Sequence, residues 1–132
     1  MSSLDANIIL RLLLRDIPDQ TEKVIDLIKN SKPGSLIVED PVLFECVWIL
    51  TGNRYRLDRK ATSELILQLV KIPQINCNRY LLERAIPPYV ETANISFIDI
   101  CLAIYAELNN RTPLLTFDKK LAKALPKTVN LL

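Results

Sequence analysis

The sequence predicts an α/β fold with a largely parallel sheet. Short segments such as the fully apolar Leu36-Ile37-Val38 and the run Leu114-Leu115-Thr116-Phe117 read as strands. Helical patterns separate them, as crossover connections between parallel strands require. No internal repeat, low-complexity tract or linker interrupts the 132 residues, so one domain over 1–132 is expected.

The elements follow in order. Residues 2–5 supply a short first strand, weakly marked. A helix over 7–15 carries Ile8, Ile9, Leu12 and Leu13 on one side, and Ile17-Pro18 breaks it. Asp19 or Thr21 caps a helix over 20–30, and Pro33-Gly34 turns the chain into the strand 36–38. Asp40-Pro41 reads as N-cap and first helical residue of a segment through Leu50, closed by Gly52 and the polar run 53–56. Asp58 caps a helix to about Lys71, and 75–77 is a minimal strand. Residues 79–86 are helical, with Pro87-Pro88 as the expected stop. Ser96 opens a central helix to about Asn109. Thr112-Pro113 is a turn, 114–117 the clearest strand, 118–125 a short helix, and 128–131 a last edge strand.

Composition narrows the function. Apolar residues make up 49% and charged residues 24%, a globular balance, and the net charge of +2 permits a nucleic-acid partner without demanding one. Histidine is absent, which excludes Ser-His-Asp and Cys-His catalysis and most zinc sites. Cys46, Cys77 and Cys101 are too few and too widely spaced for a disulfide framework or a zinc motif, so a reducing compartment fits. No signal peptide or membrane span is visible, and a soluble, cytoplasmic protein is expected.

Four acids stand apart from the fifteen in the chain. Asp99 is the one charge in ISFIDICLAIYA, a run that reads as a buried helix where an unpaired carboxylate is costly. Glu45 is alone in VLFECVWIL. Asp5 lies between a strand and its helix, and Asp118 directly follows LLTF. Each has a structural alternative. Asp5 and Asp118 serve equally well as N-caps, Ser96 to Asp99 matches a capping box, and Glu45 sits near a positive helix end. Taken together, they suit a divalent cation. Grouped carboxylates repel unless a cation neutralises them, and all-oxygen donors favour Mg²⁺ or Mn²⁺. Such a metal activates water and stabilises charge on a phosphate.

These segments also carry a family resemblance. LDANIILRLLLRD resembles the opening of PIN-domain nucleases, where an acid followed closely by Asn begins the first helix. PVLFECVWIL resembles their buried-Glu helix, SFIDICLAIYAE their central Asp helix, and LLTFDKKLAK their last acidic segment with its preceding Thr. The ordered set covers nearly the whole chain. The resemblance implies a three-layer α/β/α sandwich with a central, largely parallel sheet, and a Mg²⁺- or Mn²⁺-dependent endoribonuclease. A compact chain of this kind looks most like the VapC-type toxins, which often dimerise and are inhibited by a small antitoxin. It implies Asp5, Glu45 and Asp99 as core metal ligands, with Asp118 completing the set. Thr116 and Asn7 become auxiliary polar residues. Ala6 stands where the family commonly has Thr or Ser, which removes a supporting hydrogen bond.

Lys119 and Lys120, beside Asp118, and more weakly Arg11, are candidates to track an RNA backbone. The denser cluster of Arg54, Arg56, Arg59 and Lys60 reads first as a solvated helix end. Trp48 reads as core packing, and Tyr80, Leu81, Leu82 and Ile86 as either core or a partner surface. Two further function classes compete: a catalytically silent PIN-like module that binds RNA or protein, and a phospho-receiver domain. The latter is disfavoured because no acid pair follows the first strand.

Overall fold

The computed structural model describes residues 1–132, and the chain divides into two compact units, Met1–Arg79 and Tyr80–Leu132. The fold class is α/β as the sequence predicts, with every strand pair parallel. No helix is long and apolar enough to cross a membrane.

The first unit holds a three-stranded sheet in the order β1 (Ser2–Ser3), β2 (Leu36–Ile37), β3 (Ile75–Asn76). Ser2 pairs with Leu36, and Leu36 with Ile75. Two helices fill each crossover: α1 (Ala6–Leu14) and α2 (Pro18–Lys29), then α3 (Asp40–Thr51) and α4 (Arg59–Leu67). Parallel strands place all three carboxyl ends on one edge, where ligands of open α/β sheets bind. Asp5, Asp40 and Asn78 lie just past those ends, and Asn78 Nδ2 donates to Asp40 Oδ2 at 3.1 Å.

Helix starts are set by local chemistry. Asp58 Oδ1 accepts from the Ala61 N–H at 2.7 Å and caps α4. Several expectations at helix ends change. Asp40, expected as an N-cap, is the first residue of α3, and Glu39 caps it without a side-chain bond. α2 starts at Pro18 with Ile17 as an N-cap that makes no side-chain bond, because proline at the first helical position needs no donor satisfied. Thr21, expected as a cap, is buried and its Oγ1 donates to the Arg11 carbonyl at 3.2 Å. The segment expected to carry α4 on to Lys71 tightens into a 3-10 turn at Gln68–Lys71.

The second unit contains α5 (Arg79–Glu91), α6 (Phe97–Leu108), β4 (Leu114–Thr116), α7 (Lys119–Ala124) and β5 (Val129–Leu131). Leu114 pairs with Val129 and Thr116 with Leu131. Pro87-Pro88 does not stop α5, which runs on to Glu91. The two prolines remove two helical N–H donors on a stretch where Glu83 and Arg84 are exposed. Tyr89 is buried edge-on against Phe97, with ring centroids 5.4 Å apart, and this packing holds the extra turn. Leu81, Leu82 and Ile86 are core. Tyr80 is exposed and carries the Arg84 guanidinium over its ring.

The central helix is not buried all round. α6 buries Phe97, Ile100, Cys101 and Ile104 along one stripe. Ile98 is 43% exposed and Leu102 44%, and Asp99 is half-buried. An apolar run fixes helix and core face, but its length alone does not hide the opposite side.

Candidate functional site

Asp5 is placed by β1. Leu4 N–H donates to the Ile37 carbonyl at 2.9 Å, and the chain then turns into α1. Asp5 caps that helix, its Oδ1 accepting from the Ile8 N–H at 3.1 Å. The other oxygen makes no hydrogen bond in the fold and is left for a ligand. Asn7, in the first turn of α1, is exposed. Asn7 and Asp5 line a groove of about 390 Å³ beside α1 and α2, with Gln20 and Lys23 on its far side.

Glu45 lies in the second turn of α3. That helix buries Leu43, Cys46, Val47 and Leu50, a spacing that sends Glu45 outward. Glu45 is therefore exposed, not enclosed by its apolar neighbours, and it makes no hydrogen bond or ion pair. Trp48, one turn on, is 76% exposed, which overturns its reading as core. The signal was present in the sequence: a residue three positions from an outward Glu shares its face.

Cys46 joins these two acids. Its thiol is fully buried and donates to the Ala6 carbonyl at 3.9 Å, so the second turn of α3 packs on the first turn of α1. Burial, and then the charges of Glu45 and Asp5, push this thiol up to about 12. Glu45 and Asp5 are thus the chain neighbours of the two contacting residues, Cys46 and Ala6, within the first unit.

The second unit carries Asp99 and Asp118. Ser96 Oγ accepts from the Asp99 N–H at 3.0 Å and caps α6. The reciprocal bond of a capping box is not made, which leaves the Asp99 carboxylate without a hydrogen-bond partner. Asp118 caps α7, Oδ1 accepting from the Lys120 and Leu121 N–H groups at 2.9 and 3.1 Å. Thr116 Oγ1 accepts from the Asp118 N–H at 3.0 Å and so fixes the turn that presents this carboxylate. Lys119 and Lys120 are exposed directly after it.

Neither unit by itself gathers three or more His, Cys, Asp or Glu side chains able to hold a metal ion. Arg11 is turned inward: it is 6% exposed, pairs with Asp16 Oδ1 at 2.9 Å and shares Tyr55 with it. This network engages its charge inside the fold.

No curated protein matches the sequence as a relative. The family model of the PIN domain matches residues 3–125, a stretch that runs from β1 through α7 and includes all four acids. With parallel strands throughout and an acid following both β1 and β4, the chain belongs to the PIN domain family and has its nuclease-type fold.

Proposed function

We propose that this protein is a metal-dependent endoribonuclease that hydrolyses RNA phosphodiester bonds, built as one domain over 1–132. The observation that carries the reading is the packing of the Cys46 thiol on the Ala6 carbonyl, which joins the turns of α3 and α1 that carry Glu45 and Asp5, with the Glu45 carboxylate unused by the fold. The family supports it, because PIN domains are nuclease-type.

The donor set fits a hard divalent cation. It consists of carboxylates, in a chain without histidine, and so suits Mg²⁺ or Mn²⁺. Asp5, Glu45, Asp99 and Asp118 would hold it, and when bound it would activate water and stabilise charge on the phosphate oxygens. The chain's own residues have separable tasks. The α1 cap fixes the Asp5 carboxylate in direction. Thr116 holds the turn that presents Asp118. Asn7 offers a carboxamide beside Asp5, and Lys119 and Lys120 offer charge to the RNA backbone.

The proposal extends to the biology of the VapC-type resemblance: a cytoplasmic toxin, a small antitoxin partner and a homodimer. Ile98 and Leu102 on α6 supply exposed apolar surface of the kind a protein interface uses. One observation favours a catalytically silent module instead. Asp5 and Asp118 already work as helix caps, which would keep them in a chain that had lost activity.

A Mn²⁺ titration of the parent and of Asp99→Asn, with cleavage and calorimetry as readouts, separates the two. The nuclease binds metal and cuts RNA, and Asp99→Asn loses both. An Asp99→Asn variant that cuts as fast as the parent removes the assignment. RNA affinity insensitive to chelator, with no cleavage in Mn²⁺, establishes the silent module.

A further inference from the structure

We propose that Trp48 is the stacking platform for an unpaired RNA base next to the scissile phosphate, with Arg54 and Arg56 receiving the backbone beyond it. The inference rests on the nuclease reading for the role of Glu45. Glu45 and Trp48 stand three residues apart on α3, which makes them surface neighbours about 5–6 Å apart at Cβ. The indole is 76% exposed, although α3 has a buried face able to take apolar side chains.

The chain turns back at the end of α3 and holds two cations just beyond the helix that carries Trp48. Gly52 closes the helix with its N–H on the Ile49 carbonyl at 3.2 Å. A Cβ at Gly52 would lie 3.1 Å from the Trp48 carbonyl, so the exit there is tight. Arg56 N–H then donates to the Gly52 carbonyl at 2.8 Å, and Leu57 N–H to the Leu50 carbonyl at 3.0 Å. Asn53, Arg54 and Arg56 therefore sit at the helix end as a fixed, exposed turn. Arg56 Nε is tied to the Asn53 carbonyl, and the Arg54 guanidinium lies 5.2 Å from the Tyr55 ring centroid.

Acid and indole thus share one solvent face of α3, and the exposed guanidinium groups follow at its end. Such an order suits a single strand: cations track phosphates, and an aromatic ring accepts any base on its π-face. A protein partner is the weaker occupant, because interface cores are depleted in acids while Glu45 stands exposed one turn from Trp48.

Trp48 is the chain's one tryptophan, so its fluorescence reads the contact directly. The full chain is titrated with a labelled single-stranded oligouridylate in chelator, following label anisotropy and indole emission together. Saturable quenching is expected, with none from an abasic strand of equal phosphate count. Trp48→Ala raises Kd about tenfold, and Trp48→Phe restores most of it. In Mn²⁺, Trp48→Ala raises KM while kcat at saturating RNA holds. Binding without quenching, or an unchanged Kd in Trp48→Ala, overturns the assignment. So does a changed oligomeric state with RNA affinity intact, which makes this face a protein interface. If the parent cuts no RNA, the nuclease reading fails, while quenching in chelator still decides the stacking. If it cuts without quenching, the stacking alone fails.

Discussion

Cys46 Sγ sits 3.9 Å from the Ala6 carbonyl oxygen, and this contact spaces Glu45 from Asp5. Each acid is the chain neighbour of one contacting residue, so the buried thiol sets how far apart the two helices hold their carboxylates. Cys46→Ser keeps a donor of similar size and is expected to preserve fold and activity. Cys46→Leu overfills the site, costs about 1–3 kcal/mol and lowers activity more than the lost stability explains. Denaturation midpoints and cleavage rates of the two variants check this.

The same thiol gives a pH signature. Its folded-state value is raised from 9.0 to about 12, so its neutral form is favoured by folding. The sign follows: this contribution is full below pH 9.0 and is lost as pH rises toward about 12. The slope is at most about 1.4 kcal/mol per pH unit. The parent should lose stability faster than Cys46→Ala as pH rises through this window, read by urea midpoints. At neutral pH an alkylating reagent should modify half-exposed Cys77 before Cys46.

Capping and metal binding separate at Asp5. Asp5→Asn retains a good N-cap and stability but removes one of the four carboxylate charges available to a cation, so cleavage should fall sharply. Asp5→Ala should lose cleavage and, in addition, about 1 kcal/mol of stability. Glu45→Gln should leave metal-free stability unchanged, because the Glu45 carboxylate makes no bond in the fold. Mn²⁺ should raise the Tm of the parent and fail to raise that of Glu45→Gln, and chelator should abolish the parent's shift.

Arg11 tests the opposite case, a charge that the fold itself uses. Arg11→Ala leaves Asp16 and Tyr55 without their partner and should cost about 2–3 kcal/mol, less than a fully buried pair because Asp16 is partly exposed. Tyr55→Phe should cost about 1 kcal/mol. Thermal or urea denaturation measures both.

Lys119 and Lys120 should act through phosphate. Replacing both with Ala should weaken RNA binding evenly across sequences and reduce the salt slope by about 1–2. The α7 cap uses their backbone, not their side chains, so the fold is expected to hold.

Much of this fold was legible because its signals are local. A cap at Asp5, Asp58, Ser96 or Asp118 acts within three residues, and short apolar runs bounded by turns mark the strands. The four acids were legible as unusual for the same reason, each conspicuous against its own neighbours. Their surroundings were not. An apolar run around Glu45 suggested burial, yet Leu43, Cys46, Val47 and Leu50 claim one face and leave Glu45 and Trp48 on the other.

The sequence by itself determined an α/β chain, the helix starts capped by Asp5, Asp58, Ser96 and Asp118, and the residues to examine, since propensity, capping and period are short-range properties. Tertiary structure alone decided which face of each helix meets the core. It turned Arg11 inward to Asp16, carried α5 through Pro87-Pro88 by packing Tyr89 on Phe97, and left Trp48 in solvent. Those outcomes depend on partners distant in sequence, and burial is conferred by the partner, not by the run.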